Sequence, residues 1–338
     1  MIVFKGIENI TEAFRGSFVT IGNFDGVHLS HQFICRKLAD EAKNAGTKSL
    51  VITFDPHPKM ILHPAIRPFY LITTLEEKMK LLEDCRIDGT LVISFSLDYS
   101  KVTAEQFVRE FLGKKLAIKK IIIGHDYTFG QGKKGNSDYL ISCGREMGFA
   151  VEVVDAFKVG EDIISSTLVR NLIIKGDFKR VTNLLGRWYN ITGIVVLGRG
   201  RGVGLGFPTA NIDPEKALLP PAGIYAAFVD VEGKRYMAAL NIGEKPTFAD
   251  YIISHFKSIN NFNRKAHFVP AGNQIIAVTF FALAKSVIMT DNNFFNRQLF
   301  SEKFPDKLFG GHPRIIQRKG NYQRTVNPAI LQQFHLLF

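Results

Sequence analysis

Short apolar strands alternate with amphipathic helices through the first 186 residues, and this alternation constrains the fold most. Five runs fit strands, at 18–22, 49–54, 90–95, 120–124 and 151–154. Five runs fit helices, at 30–45, 75–86, 103–113, 136–147 and 166–174. Strand–helix–strand units of this length make right-handed crossovers and join parallel strands. The sequence therefore predicts an α/β domain built on a parallel sheet.

The first strand of this series runs into a glycine turn and then into a helix start. After the strand at 18–22 come Gly26, His28 and His31. A helix N-terminus presents unpaired N–H groups and the positive end of the helix dipole, which together bind anions. Because the two histidines are three residues apart in the first turn, both can face one ligand. This segment predicts a phosphate-binding site.

Three further segments point to the same edge of the sheet or the same chemistry. FDPHP at 54–58 and GHDYTFG at 124–130 each follow a predicted strand, and parallel sheets bind ligands beyond those strand ends. ISSTLVR at 164–170 puts three hydroxyls at a helix start, with Arg170 one turn further on. Hydroxyls there are often plain helix caps, but the combination with arginine favours a polyphosphate clamp. His57, between two prolines, is interpreted as a loop residue rather than a catalyst.

Composition indicates a two-domain cytoplasmic protein. A chain of 338 residues is long enough for two cores, and 46% hydrophobic with 22% charged residues is ordinary for a globular protein. We expect no membrane span, because the apolar runs are short, and no signal peptide at the N-terminus. Cys35, Cys85 and Cys143 are few and widely spaced, which favours reduced thiols over a disulfide frame.

The positive charge of the chain is concentrated at one end. Of a net charge of +12, residues 251–338 contribute two thirds, with 11 Lys and Arg against 3 Asp and Glu. An even or patterned basic surface would favour nucleic acid as a partner, whereas this distribution argues against it. We expect small-molecule substrates as the partners, with no prediction of oligomeric state.

The motifs GNFDGVHLSH, TFDPHP, GHDYTFG and ISSTLVR occur in this order within residues 1–186. Together they resemble the FMN adenylyltransferase module of the bacterial bifunctional riboflavin kinase/FAD synthetases. That module is a Rossmann-like nucleotidyltransferase domain with a His-x-Gly-His signature. The resemblance implies transfer of AMP from ATP to FMN, giving FAD and pyrophosphate, with Mg²⁺ bridging the phosphates.

The same resemblance implies roles for individual residues. Catalysis is expected from His28, His31 and Arg170. The ATP phosphates are expected at Gly22, Asn23, Phe24, Asp25, Ser165, Ser166 and Thr167. FMN contacts are expected from Asp126 and Phe129, although Phe129 also fits plain core. Ser30 stands where the family has glycine, and its side chain predicts weakened rather than abolished ATP binding.

Beyond residue 186 the chain changes to short β-rich runs separated by glycine and proline, which favours a small barrel. GFPTAN, GIYA and NIGEKPTF follow within 187–250 and resemble the riboflavin kinase module, which implies riboflavin as a second flavin substrate. The resemblance implies Mg·ATP at Thr209 and Asn211, and phosphate contacts from the glycine loop through Gly206 and Pro208. We therefore predict two domains, 1–186 and 187–338.

After Asp250 the resemblance nearly stops. The family has a glutamate there that activates the riboflavin hydroxyl, whereas this chain has no glutamate between Glu244 and Glu302. Ser254 and His255 stand near its expected place, and 272–280 still fits a strand. One hypothesis for 251–338 is a frameshifted or recombined reading of the gene, favoured by the abrupt boundary and the scarcity of acid. The other is a diverged basic extension that binds a partner.

Three functions follow from these observations. The preferred one is an adenylyltransferase whose kinase half is impaired. The second keeps both activities, with another residue such as Asp250 replacing the base. The third is a protein that binds flavin or nucleotide without catalysis.

Overall fold

The computed structural model describes residues 1–63, 69–196, 210–231, 233–244, 251–254, 256–258 and 275–280. All of them belong to one compact unit, Met1–Val287, while a second unit, Ile288–Phe338, lies outside the described residues. The predictions on Gly206, Pro208, Thr209, Asp250 and His255 also fall outside them.

A six-stranded parallel sheet forms the first half of the chain. Its strands are β1 (Ile2–Lys5), β2 (Phe18–Ile21), β3 (Ser49–Asp55), β4 (Gly89–Ser94), β5 (Lys120–Gly124) and β6 (Ala150–Val154). They pair in the order β1-β4-β3-β2-β5-β6, with every pair parallel. The parallel sheet and all five predicted strands are confirmed. The edge strand β1 was not predicted, and Phe4 is the only one of its four residues that is buried.

Helices connect and cover these strands. They are α1 (Leu29–Asn44), α2 (Pro58–Leu62), α3 (Leu75–Glu83), α4 (Ala104–Gln106, continuing as π-helical turns over Phe107–Lys115), α5 (Ser137–Met147), α6 (Ser166–Lys175) and α7 (Phe178–Leu185). The five predicted helices are confirmed, with small differences at their ends. A two-stranded hairpin, β7 (Lys158–Val159) and β8 (Asp162–Ile163), precedes α6. Within the described part of the chain, no helix combines the length and apolarity that crossing a bilayer requires.

The central strands are buried on both faces, as parallel strands between helix layers are. Val51 of β3 packs with Leu38 of α1 and Leu82 of α3. Its neighbour Ile52 faces the opposite side and packs with the layer that contains Leu112 and Leu140. Successive side chains of a strand therefore pack alternately against the two helix layers.

An antiparallel sheet forms the second half. Its strands are β9 (Asn190–Val196), β10 (Asn211–Pro214), β11 (Gly223–Val231), β12 (Lys234–Glu244), β13 (Tyr251–Ser254), β14 (Phe256–Ser258) and β15 (Ile275–Phe280). The pairing order β11-β15-β9-β10-β13-β12 returns to β11 through the β11–β12 ladder, so the strands close on themselves in the manner of a small barrel. The predicted strand at 272–280 is confirmed by β15, which pairs with both β9 and β11.

Helices α6 and α7 share one apolar core with the second sheet. Val169 of α6 and Leu185 of α7 pack in the same cluster as Ile191, Ile212 and Leu240 from the second sheet. The helices that end the first half are therefore covered by the strands of the second.

A buried polar contact joins the same two halves. Lys216, which follows β10, donates from Nζ to Glu77 Oε2 on α3 at 2.9 Å and to the Ile72 carbonyl at 3.0 Å. Asn190 and Thr192 of β9 also donate to Glu77. The boundary at residue 186 stays a prediction, and the packing across it is extensive.

Candidate functional site

Three of the loops with unusual chemistry meet at one edge of the parallel sheet. Strand β2 lies between β3 and β5, and the strand order changes direction between β2 and β5. Ligands bind in the crevice outside the carboxyl ends of the strands at such a switch point. The loops that follow these three strands are the glycine loop at 22–28, the Pro-His-Pro loop and the 124–130 loop. The topology thus brings together what the sequence places far apart.

The two histidines stack at the start of α1. His28 is the N-cap of that helix, and its Nδ1 accepts a hydrogen bond from the His31 backbone N–H at 3.5 Å. The rings are 3.6 Å apart and inclined by 15°, with Phe24 packed on the outer face of His31. Because Nδ1 of His28 is an acceptor, the neutral ring carries its proton on Nε2. The two rings therefore lie side by side, while their contact with one ligand stays a prediction.

Burial keeps both imidazoles neutral at pH 7. It lowers the pKa of His28, which is 4% exposed, to about 3, and the nearby charge of Arg187 adds to the shift. Burial also lowers the pKa of His31, with smaller contributions from His28 and Lys78. Among the described residues, Nδ1 of His31 is buried with no hydrogen-bond partner. A negatively charged ligand would supply that partner and favour protonation of the pair.

The glycine loop has a strained backbone that neighbouring side chains hold in place. Phe24 and Val27 adopt positive φ values of 48° and 36°, which non-glycine residues seldom do, and Gly26 lies at 82°. Arg187 donates to the Gly26 carbonyl at 2.7 Å and to the Val27 carbonyl at 3.2 Å. Gln32 donates to the Val27 carbonyl at 2.9 Å. Strain held this way is typical of a functional loop.

Asp25 and Arg170 form a buried ion pair beneath this loop. Asp25 Oδ2 accepts from Arg170 Nη2 at 2.5 Å, and its Oδ1 accepts from the backbone N–H groups of Ile72 and Thr73 at 2.9 and 3.3 Å. Arg170 also donates to the Tyr70 carbonyl at 2.7 Å. Asp25 thus holds the arginine and anchors the loop, while phosphate contacts by either residue stay predictions.

The hydroxyls of the ISST segment lie at the start of α6 and differ in their partners. Ser165 is the N-cap and accepts from the Leu168 N–H at 3.2 Å, which is the plain capping role. Ser166 donates to the Asp25 carbonyl at 2.8 Å and so ties α6 to the glycine loop. Thr167 is exposed. The structure brings this segment against the glycine loop, as the clamp hypothesis requires.

Two buried basic residues lie here: His57, which the sequence analysis placed in a loop, and Lys78, which it did not single out. His57 is the N-cap of α2 and lies 4.5 Å from the Phe69 ring, while the Arg170 guanidinium lies 4.3 Å from the same ring. Burial, Lys78 and Arg170 lower the pKa of His57 to about 3. Lys78 is buried on α3, four residues before the core residue Leu82. The sequence signal for Lys78 was its position on the apolar face of the predicted helix, where a lysine is unusual.

The 124–130 loop presents one polar and one apolar candidate. Asp126 is exposed, whereas Phe129 is buried and packs against Phe107 and Tyr127, with ring centroids 5.7 and 5.6 Å away. The structure therefore gives Phe129 the core position that the sequence left open as an alternative. FMN contact by either residue stays a prediction.

On the second sheet, Asn211 is the one described member of the expected Mg·ATP pair. It begins β10, is buried, and pairs in register with Val196 of β9 and Ser254 of β13. Ser254, which stands near the place of the family's glutamate, thus lies opposite Asn211 in the ladder. The described residues hold no group of three His, Cys, Asp or Glu able to bind a metal. An amide oxygen such as that of Asn211 fits Mg²⁺ that is mainly bound by phosphates and water.

Comparison with known proteins identifies the family. The model of the FAD synthetase family matches residues 10–168, and the riboflavin kinase model matches residues 185–281. The bifunctional riboflavin kinase/FMN adenylyltransferase of Pseudomonas fluorescens is 33% identical over 249 residues, which are 74% of this chain and 79% of that protein. Its counterpart in Escherichia coli K12 is 34% identical over 251 residues, 74% of this chain and 80% of that protein. The chain belongs to the bifunctional riboflavin kinase/FMN adenylyltransferase family.

The fold agrees with a solved structure. A Streptococcus pneumoniae protein described as a macrolide-efflux protein superposes with a TM-score of 0.74 at 27% identity, over 89% of this chain and 96% of its own. In the present chain, the riboflavin kinase match extends to residue 281 and includes β15. The family resemblance therefore continues past Asp250, where the sequence analysis expected it nearly to stop. The motifs at 22–31 and 124–130 lie inside the FAD synthetase match, and Arg170 lies two residues beyond its end.

Proposed function

We propose that this chain transfers AMP from ATP to FMN, forming FAD and pyrophosphate. The observation that carries the proposal is the stacked pair His28 and His31 at the N-terminus of α1, with the Ser166 segment bonded to the adjoining glycine loop. Family membership supports the same reaction, because the curated relatives are described as FMN adenylyltransferases.

The chemistry requires positioning and charge stabilisation more than covalent catalysis. An oxygen of the FMN phosphate attacks the α-phosphorus of ATP, and pyrophosphate leaves with the bonding electrons. The first-turn amides of α1 and the Nε2–H of His28 would donate to phosphate oxygens. His31, whose Nδ1 is buried and unpaired among the described residues, would bind a further phosphate oxygen and gain a proton as negative charge develops.

Arg170 would act on the β- and γ-phosphates from the far side of the glycine loop. Its Nε donates to the Tyr70 carbonyl and its Nη2 donates to Asp25, and these two bonds orient the planar guanidinium. Ser165 and Thr167 are exposed at the start of α6 and would contact the same phosphates, as would the amides of Gly22 and Asn23. Mg²⁺ would supply additional charge neutralisation at the phosphates.

We propose further that the kinase half is impaired. Ser254 stands opposite Asn211, near where the family's glutamate is expected, and a serine hydroxyl is a poor general base at neutral pH. A bifunctional enzyme is the second candidate. It is favoured by the match of the riboflavin kinase model through residue 281 and by the closed strand order that includes β15.

A paired assay separates these candidates. The purified chain is incubated with ATP and Mg²⁺ and either FMN or riboflavin, and the flavin products are resolved by chromatography. FAD from FMN without FMN from riboflavin is the expected result. FMN from riboflavin contradicts the impaired kinase and supports the bifunctional enzyme. Absence of FAD, in a preparation that still binds flavin, overturns the main proposal and leaves a non-catalytic binder. His28→Ala is the negative control for FAD formation.

A further inference from the structure

Lys78 is a buried cation beside the site that the proposed mechanism does not use. It lies on α3 and is 4% exposed. Its Nζ donates to Thr53 Oγ1 at 3.5 Å, and Thr53 donates in turn to the Asn23 carbonyl of the glycine loop at 3.2 Å. The ammonium group is therefore one hydroxyl away from the loop that follows β2.

This ammonium lacks the ionic partner that burial normally demands. A buried charge is stable only when it is paired and hydrogen-bonded. Within the described part of the chain, no carboxylate lies within 4.0 Å of Lys78, and Asp25 is already engaged by Arg170. The equally buried Lys216 provides the contrast, since both carboxylate oxygens of Glu77 accept from it at 2.9 and 3.1 Å.

Both basic and acidic groups surround Lys78, and none of the described acids is paired with it. Its charge lowers the pKa of His31 on α1 and of His57 in the loop after β3. The Arg170 charge also acts on His57. On the acidic side, Asp25 and Asp55 raise the pKa of Lys78 against the lowering caused by burial. Of these acids, only Asp25 is buried, and it is shared with Arg170.

We propose that Lys78 binds a substrate phosphate oxygen during adenylyl transfer, in addition to the phosphate contact proposed for Arg170. An ammonium group has three N–H donors, of which Thr53 accepts one. A phosphate oxygen fits the remaining donors and provides the missing negative charge. This inference rests on the proposed adenylyltransferase function. The phosphate belongs to ATP or to FMN, and the two are distinguished by which Michaelis constant changes.

The steady-state test compares Lys78→Met with Lys80→Met. Lys80 is exposed on the same helix, so its variant controls for a lost charge and for helix composition. Loss of a charge-assisted hydrogen bond predicts roughly a 10- to 100-fold fall in kcat/KM for FAD formation in Lys78→Met. A higher KM for ATP assigns the contact to ATP, and a higher KM for FMN assigns it to FMN. The Lys80→Met constants should match those of the wild type.

Two results overturn the proposal. The first requires that Lys78→Met is folded, as judged by circular dichroism and thermal midpoint. If its kcat and both KM values then lie within about twofold of the wild-type values, Lys78 makes no phosphate contact. If Lys78→Met fails to fold, the wild-type chain labelled with ¹⁵N at lysine Nζ decides, with Lys78→Arg used for assignment. ATP or FMN, each added alone, should shift the Lys78 Nζ resonance, and a signal that stays unmoved at saturating concentrations of both contradicts the proposal. Because this binding measurement needs no turnover, it also separates failure of Lys78 from failure of the adenylyltransferase assignment.

Discussion

Asp25 accepts hydrogen bonds at once from Arg170, 145 residues away, and from two backbone amides of the 72–73 segment. One carboxylate thus ties the glycine loop, the chain before α3 and helix α6 together.

Removing this carboxylate should destabilise the protein strongly. Asp25→Ala leaves the guanidinium of Arg170 buried without an acid, which costs about 3–5 kcal/mol in the free energy of unfolding. Urea titration measures this loss of free energy of unfolding. Asp162→Ala is the matched control, because it breaks an arginine–aspartate pair at the surface, with Arg180 46% exposed. Its free energy of unfolding should be close to that of the wild type, and equal losses in the two variants contradict the interpretation.

Stability should fall as the pH decreases below about 6.5. The pKa values of His28 and His57 are about 3 in the folded protein, below the ordinary value of about 6.5 that they regain on unfolding. Between these values the unfolded state binds more protons, so acid favours unfolding, and the full stability is present above pH 6.5. Each histidine adds about 1.4 kcal/mol per pH unit to the slope.

Urea titrations at pH 7.5, 6 and 5 measure this slope. The double variant His28→Gln/His57→Gln should show a shallower pH dependence than the wild type. An unchanged slope in the double variant means that other groups cause the acid sensitivity.

Replacing Ser30 by glycine should strengthen ATP binding. Ser30 lies in the first turn of α1 and is half-buried, beside the amides that are proposed to bind the phosphates. Its backbone is helical, so the change relieves crowding near the ligand rather than strain. We expect KM for ATP to fall by about threefold to tenfold, because a change of one or two heavy atoms beside a ligand alters its binding by about this factor. Ser137→Gly, in the first turn of α5, controls for the helix cost of glycine and should leave KM unchanged.

Arg187 should be needed for activity although it lies after the predicted domain boundary. Its guanidinium donates to two carbonyls of the strained glycine loop. Arg187→Met removes both bonds and lets the loop relax, and misplaced phosphate donors predict about a tenfold loss in kcat/KM for FAD formation. Arg145→Met, which removes an exposed arginine from α5, is the control. Full activity in Arg187→Met would show that Gln32 holds the loop alone.

The features that could be predicted are those that depend on local sequence pattern. Strands β2 to β6 and the histidine pair follow from periodicity and from spacing within one turn of helix. The partner of Arg170 could not be predicted, because Asp25 meets it only through the tertiary fold. His57 lies between β3 and α2, in agreement with its interpretation as a loop residue. Its contact with Phe69, which also packs against Arg170, could not be predicted because these residues are separated in sequence. The edge strand β1 is apolar but buries only Phe4, so its sequence does not mark a face that packs in the core.

The core shared by α6, α7 and the second sheet has a consequence for how this gene can change. Ile191, Ile212 and Leu240 pack under the helix whose first turn carries Ser166, and Lys216 holds Glu77, the residue before Lys78. Under the proposed function, a mutation that abolished riboflavin phosphorylation without unfolding the strands would leave these contacts in place, whereas one that unfolded the strands would expose the underside of the candidate site. Selection for FAD formation alone would then preserve the second sheet after its own chemistry had been lost.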